Sequence, residues 1–321
     1  MDRKPNIIVT GMLDTKFNEI RFLADQVAVY GGNPVVMDLS LGQSADWADI
    51  TREEVLKTAG VSEKEVSDAP RAKAIGIVGP AGAKKIMELY DEGKVDGVIS
   101  WAGSVSTTTV TYVMRALPFG VPKIMLTDMA SSDVSMWLGN KDIYIVNPTE
   151  EQAINIVTRK MVANAAAAVV SMAKVGDVKT EETKPLVAIT AYGTTTPAVN
   201  ACTKFMEDRG WDSIIIHQVG TGATMEDLIR SGDVTAIFDL TTGELTNNMY
   251  KSPYGVPDTW VGERVTAASD MGIPQIVCPG GLDQGACGPM SSIPQEYLDD
   301  FKTGKRKGFR DTKLPYIHNE G

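Results

Sequence analysis

The feature that most constrains this chain is a pattern that it carries twice. Thr10, Thr15 and Gly42 recur as Thr190, Thr195 and Gly222, each 180 residues further on. Two later pieces follow in the same order at shorter offsets: Gly93–Ile99 resembles Gly232–Phe238, and Gly120–Ile124 resembles Gly272–Ile276. Each piece is a short apolar run that breaks into Gly, Ser and Thr, followed by a helical pattern. Repetition in a fixed order indicates duplication of one α/β unit. The shorter later offsets place an insertion in the first copy, and the polar, weakly patterned stretch 44–70 reads as that insertion, a surface excursion with short helices.

The fold class that follows is α/β, with two Rossmann-like parallel-sheet subdomains. Asn6–Thr10, the helical spacing of Ile20, Leu23 and Val27, and Pro34–Leu39 form a βαβ unit, whose crossover requires parallel strands. Ala72–Val78 reads either as a strand or as the start of a helix running to Tyr90, and the helical period continued by Lys84, Lys85, Ile86, Leu89 and Tyr90 favours the helix. Val95–Ser100 reads as a strand feeding a loop of small residues through Thr109, with a helix at Val110–Leu117. Asn147-Pro148 with the acids after it predicts the start of a helix running to about Lys174. The charged stretch ending at Pro185 predicts a linker at 177–185. It separates an N-terminal domain, 1–176, from a shortened C-terminal domain, 186–321.

Charge and composition exclude several classes. A net charge of −10 argues against a nucleic-acid surface, which requires a basic face. Cys202, Cys278 and Cys287 form no CxxC pair, which fits a reducing cytoplasm. The N-terminus has no signal-peptide apolar core, and Ala163–Ala173 reads as a packed helix rather than a membrane span. The expectation is a cytoplasmic protein that meets neither nucleic acid nor membrane.

In open parallel sheets the ligand lies beyond the carboxyl ends of the strands. There the sequence offers Gly11, Asp14, Thr15 and Lys16; Gly103, Ser104, Ser106 and Thr107; and Ser131 and Ser132. In the second copy it offers Gly193, Thr194, Thr195 and Thr196; Gly220, Thr221 and Gly222; Thr241 and Thr242; and Gly280 and Gly281. One such loop meets only the needs of turns and helix caps, but their recurrence points to a shared polar crevice. Hydroxyls and helix-start amides there suit a phosphate or carboxylate, with Lys16, Arg115, Lys123 and Lys141 as candidate countercharges. The nucleotide signatures Gly-x-x-x-x-Gly-Lys-Ser/Thr and Gly-x-Gly-x-x-Gly after the first strand are absent. No resident metal site is read. Asp14, Asp128 and Asp133 are candidates to place Mg²⁺ beside a phosphate. His217, with Asp239 or Asp283, is the candidate for proton transfer, and a hydrogen-bonded structural histidine is the alternative. No Gly-x-Ser-x-Gly elbow supports a serine triad. Cys287 is a candidate nucleophile that nothing singles out.

These loops, taken together, resemble a known family. The resemblance is carried by Gly11–Lys16, Asp96–Ile99 with Gly103-Ser104, Met114–Lys123, Met129–Val134, Ala163–Ala168, Tyr192–Pro197, His217 with Gly220–Gly222, Asp239–Leu245 and Pro279–Asp283. The family contains the N-terminal ATP-binding domain of the plant tobamovirus-resistance protein and many bacterial and fungal relatives. The resemblance implies two Rossmann-like subdomains with a ligand cleft between them, binding of ATP or a related nucleotide, and self-association into a homo-oligomer. The plant relative inhibits a viral replication protein. Two departures stand out. The family's glycine-rich loop Gly-Gly-Ser-Gly-Gly-Thr reads Trp101–Thr107 here, with bulky Trp101 and β-branched Val105. Family chains also run on past an Arg…His-Asn segment, whereas here Arg310 and His318-Asn319 are followed only by Glu320-Gly321, as if the second domain were completed by another chain.

Two functions follow as expectations. One is a protein that binds a nucleotide or a phosphorylated or anionic metabolite and acts on it as a hydrolase, lyase or transferase. The other is a ligand-gated regulatory or interaction protein, or one subunit of a split enzyme.

Overall fold

Asn6–Gly11 forms the first strand (β1), an apolar run buried over nearly its whole length. Phe17–Val29 (α1) follows, and buries Ile20, Leu23, Ala24 and Val27 at helical spacing. Asn33–Asp38 (β2) then pairs parallel to β1, Ile8 opposite Val35. This is the predicted βαβ unit. The structure is a computed structural model that describes residues 3–149, 154–176, 184–250, 252, 254–255, 263–286, 295–305 and 316–318. The chain divides into two units, Met1–Lys179 and Thr180–Gly321. Of the predicted linker, residues 177–183 lie outside the described residues, as do Cys287, Arg310 and Asn319.

The insertion is more ordered than its polar sequence suggested. Arg52–Ala59 (α2) and Glu63–Ser67 (α3) each start on a capping box, Thr51 with Glu54 and Ser62 with Glu65. Both bury side chains, Val55, Leu56 and Val66, in the core that covers one face of the sheet. The stretch is therefore part of the core layer and not a loose excursion. Arg71–Asp91 (α4) is the predicted helix, carried to its full length with Pro80 inside.

Gly97–Ala102 (β3) is completely buried. The helix after it, Ser104–Ala116 (α5), starts six residues earlier than the sequence reading placed it, at Ser104 rather than Val110. Ser104–Thr109 are its first turns and not a loop. The N–H of Gly103 donates to Ser106 Oγ (2.8 Å), and the Thr107 hydroxyl donates to the Gly103 carbonyl (2.8 Å). The first bond satisfies an N–H that a helix start leaves open, and the second adds to the Thr107 N–H that the same carbonyl already accepts. α4 lies close against α5: a Cβ on Gly79 would sit 2.5 Å from the Tyr112 ring, and one on Gly82 2.9 Å from Val113.

Lys123–Thr127 (β4), the short helix Ser135–Leu138 (α6) and Tyr144–Val146 (β5) follow. The helix predicted from Asn147 begins instead at Ile156 and runs to Ala173 (α7). Thr149 sits at φ 58°, in the left-handed region that no helix continues through. Asn155 is the cap, accepting from Val157 and Thr158 N–H. α7 is long and apolar enough by composition to span a membrane, but it sets Val162, Ala166 and Val169 against the sheet as a core helix does. The sheet order is β2-β1-β3-β4-β5, and all four pairings are parallel.

The second unit repeats the plan. Leu186–Ala191 (β6), Thr196–Glu207 (α8), Asp212–His217 (β7), Gly222–Arg230 (α9), Ala236–Thr241 (β8), Gly243–Met249 (α10), Ala267–Met271 (α11) and Gln275–Gly280 (β9) follow in turn. Their sheet is parallel in the order β7-β6-β8-β9, the order of the first four strands of the other unit. Gln284–Ala286 (β10) and Tyr316–His318 (β11) form a separate antiparallel pair, and Gln295–Lys302 (α12) lies between them in the chain.

Candidate functional site

In each unit the chain leaves its first strand on one side to make the second and returns on the other side to make the third. The reversal falls between β1 and β3 in the first unit and between β6 and β8 in the second. Such switch points open a crevice at the carboxyl ends of the strands.

In the first unit the crevice is bordered by the starts of α1 and α5. The residue preceding α1 is Lys16. Its side chain is only 4% exposed, and Nζ has no hydrogen-bond partner among the described residues. The first turn of α1 has no side-chain cap. A buried ammonium with no partner is costly, so such a group signals a missing anion. The other candidate countercharges lie elsewhere. Lys123 is at the amino end of β4, held by the carbonyls of Pro118 and Val121 and by Asp142 (2.7 Å). Burial pushes its ammonium down, and Asp142 opposes that. Arg115 is near the end of α5, donating to the Thr111 and Met136 carbonyls. Lys141 lies over the Phe119 ring. Of the four, only Lys16 lies at the carboxyl edge.

The predicted hydroxyls divide into occupied and open ones. Ser106 and Thr107 are buried, and Thr107 also bonds Thr127 Oγ1 (2.7 Å). They hold the α5 start together and present nothing to a ligand. Ser104 is exposed at the first position of α5. Ser131 and Ser132 are exposed and donate to nearby carbonyls. Thr15 donates to Met12 O. Asp14 accepts the Gly42 N–H through one oxygen (2.7 Å), and Asp133 accepts the Ser135 N–H. Gly11 answers a packing need, because a Cβ there would sit 2.7 Å from Ile20 Cδ1. Asp38, at the end of β2 where a dinucleotide fold places its ribose-binding carboxylate, is buried and accepts from Ser40 N–H, Ser40 and Ser44 hydroxyls and Ala45 N–H. That carboxylate is fully engaged.

In the second unit the switch point is bridged and covered by side chains. Thr195 Oγ1 lies 2.7 Å from Thr241 Oγ1 across it, and Thr195 also closes the turn onto Tyr192 N–H and carbonyl. Thr241 donates to Thr190 O, Thr242 to Cys278 O and Thr196 to Tyr192 O. The Tyr192 ring lies where a Cβ on Gly243 or Gly281 would be, and its hydroxyl accepts from Asn247 (3.0 Å). Gly280 closes tightly on the Leu240 carbonyl. Gly193 and Thr194 are exposed in a short 3-10 turn.

His217, Asp239 and Asp283 are not brought together as a catalytic group. His217 is exposed, edge-on to Tyr192 at 6.0 Å. Its strand lies two removed from that of Asp239, about 10 Å by strand spacing. Asp283 is exposed. Asp239 is wholly buried and forms a bidentate pair with Arg264, both bonds 2.7 Å.

Arg264 is the hub that sequence reading missed. It also reaches Glu226 (3.2 Å), Glu244 (3.4 Å) and Gln218 (3.0 Å). Burial works against its charge, but the bonds to Asp239 and the charges of Asp239, Glu244 and Glu226 outweigh this and raise its pKa. Burial pushes the Glu244 carboxyl up, opposed by the Gly222 N–H and Arg264. Gly222 must be glycine here, since a Cβ would lie 2.0 Å from Glu244 Oε2, and Gly220 turns the chain at φ 77°. Thr221 donates to the His217 carbonyl. Val265 sits at φ 71°, held by its N–H to Glu226 Oε1 (2.6 Å). Nothing in the sequence around Arg264 marks it, because its partners come from four separate segments. Among the described residues no three His, Cys, Asp or Glu side chains gather as a metal site.

Taken together, the chain is a two-unit α/β protein in which a doubly wound parallel sheet is built twice. Residues 5–177 match the N-terminal domain of the Uncharacterised protein family (UPF0261), and residues 184–311 match its C-terminal domain. The chain belongs to that family. It is 34% identical over 295 residues to a UPF0261 protein of Clostridium tetani, covering 91% of this chain and 72% of that one. It is 31% identical over 296 residues to UPF0261 protein RA0729 of Rhizobium meliloti, with the same coverage. The ToMV susceptible protein tm-1(GCR26) of Solanum lycopersicum is 27% identical over 318 residues, and the match spans 42% of that longer protein.

Proposed function

We propose that the N-terminal unit binds the phosphate of a nucleotide, or of a phosphorylated or otherwise anionic metabolite, at the carboxyl ends of β1 and β3. The observation that carries this reading is Lys16, a buried ammonium without a hydrogen-bond partner among the described residues, at the turn from β1 into α1. The uncapped α1 start and exposed Ser104 at the α5 start supply further donors. ATP is the first ligand to test because the family resemblance implies it. Mg²⁺ would accompany its phosphates, with Asp14, Asp128 and Asp133 as the candidate carboxylates. The candidate proton carriers His217, Asp239 and Asp283 lie apart, so binding, and not a hydrolase, lyase or transferase step, is the reading proposed. The test is thermal stability of the protein with ATP, AMP or inorganic phosphate, with and without Mg²⁺, for the natural chain and for Lys16→Met. Stabilisation that the variant lacks is the expected result; no stabilisation by any anion overturns the reading.

A second reading, self-association into a homo-oligomer or with a complementing chain, is favoured by β9. That strand is the sheet's edge, and it exposes Ile276 (53%) and Val277 (52%). An exposed apolar edge is a pairing surface. Native mass measurement of the purified particle tests it, and a monomer at all concentrations overturns it.

A further inference from the structure

The first sheet has five strands and the second has four, and the difference falls at one end. In the first unit β5 and α7 are consecutive. β5 pairs with the outer edge of β4, and α7 lies across β3 and β4 on the sheet face that it shares with α1. Among the described residues the second unit has a counterpart of neither. β9 ends its sheet, and α8, which stands where α1 does, packs mainly on β6 and β7.

The gap shows at duplicated positions. In the first unit Ile99, Trp101, Ile124 and Leu126 are all buried in the core that α7 completes. Their counterparts in the repeat are Phe238, Leu240, Ile276 and Cys278. Ile276 is 53% exposed and the other three are only half-buried. Ile276 pairs with Phe238 as Ile124 pairs with Ile99, and paired residues of parallel strands share a face. Phe238 and Leu240 pack on the α8 side, so Ile276 opens on that side too. Parallel sheets are found with helices on both faces, and here an apolar strip along β8 and β9 lies beyond the reach of α8. Two strands are about 10 Å across, the width of one helix.

We infer that this strip is the docking surface for an apolar helix of a complementing polypeptide, a helix that follows a strand paired to β9 as α7 follows β5. The residues after β9 do not supply it. Their longest run without Gly or Pro is 295–303, against the 18 residues of α7. A second copy of the chain has no such helix to spare, because its α7 is buried in its own first unit. More than a quarter of the Clostridium tetani relative lies outside its match to this chain, which is length enough for a strand and a helix. The inference rests on the complementing chain of the second reading above, and adds to it the helix and the face that the helix covers. It is independent of the anion site at Lys16.

Two synthetic peptides test it by fluorescence anisotropy with the full chain. One has the sequence of residues 142–175, a strand followed by α7; the other is the same peptide with Val162→Asp and Val169→Asp, which keeps the strand and charges the packing face of the helix. The first should bind at least about tenfold tighter, because a carboxylate under a docked helix is desolvated without a partner. Ile276→Asp in the protein should remove that preference. Val277→Asp, on the opposite face of the same strand and equally open (52%), should keep it. Alkylation of Cys278 by iodoacetamide, read by peptide mass mapping, should slow more with the first peptide bound than with the second. Circular dichroism shows that both protein variants retain the fold. Equal affinity of the two peptides leaves pairing at the β9 edge standing and overturns the helix; no binding by either overturns both. A preference that survives Ile276→Asp overturns the assigned face. A dimer of the chain alone that Ile276→Asp dissolves and Val277→Asp does not means that a second copy covers the strip, and also overturns the inference.

Discussion

Lys16→Met is the perturbation that bears most directly on the proposed site. The natural residue is 4% exposed and its ammonium has no hydrogen-bond partner among the described residues. Replacing buried ion pairs by apolar side chains of similar volume stabilises by about 1–4 kcal/mol where a gain is measured, and the same range is taken for removing this buried ammonium. Methionine retains most of the stem and removes the charge. For a domain of this size each kcal/mol moves the midpoint by about 2–4 °C, so the free variant should melt roughly 2–16 °C higher than the natural chain. With an anion at about a hundredfold its dissociation constant, the natural chain should gain about 2.7 kcal/mol, or roughly 5–11 °C, and the variant almost none. The assay is a thermal melt of both proteins with increasing ATP and with increasing phosphate. The variant is thus expected to be more stable alone and less responsive to ligand. If the variant melts lower than the natural chain without ligand and responds to ligand as strongly, Lys16 is not an unpaired charge awaiting an anion and the reasoning is refuted.

The remaining predictions concern the second unit. Asp239→Asn should destabilise it by about 3–5 kcal/mol in urea unfolding, because it breaks a buried pair and leaves Arg264 less compensated. Glu244→Gln should change the pH dependence of stability. The folded carboxyl is raised above its unfolded value, so its contribution is most favourable below the ordinary carboxylate pKa and is lost as pH rises. The natural chain should therefore weaken relative to Glu244→Gln from about pH 5 upward, as followed by denaturant midpoints. Val265→Gly should be neutral or stabilising by about 1 kcal/mol, against the usual trend for glycine, because φ 71° strains a β-branched residue and not glycine. Ile276→Lys should lower the mass of any oligomer seen by native mass spectrometry, since it places a charge on the open edge of the β9 sheet.

Much of the local plan was legible because it rests on short-range patterns. β1, α1 and β2 followed from apolar runs and helical spacing, and α4 from its continued period. Errors arose where two local signals competed. Ser104–Thr109 looked like a loop because Ser and Thr favour turns, yet their hydroxyls bond back to carbonyls within α5, as Thr107 does to Gly103. Asn147-Pro148 looked like a helix start, but Asn155 carried the cap. The order in α2 and α3 was signalled by Thr51 with Glu54 and Ser62 with Glu65, a pattern that polar composition concealed.

What the sequence determined by itself was the duplicated α/β plan, since the strand–turn–helix order and its recurrence are properties of neighbours along the chain. What only the tertiary structure decided was which polar groups have partners. Asp239 lies in a strand that reads like the others, and Arg264 follows it by 25 residues in a segment without any motif. Folding alone joins them, and takes Asp239 out of reach of a substrate. Lys16 was one of four candidate cations, and burial without a hydrogen-bond partner among the described residues sets it apart from the other three. The physical reason is that propensity and periodicity act over a few residues, while desolvation and charge pairing depend on what distant segments place around a group.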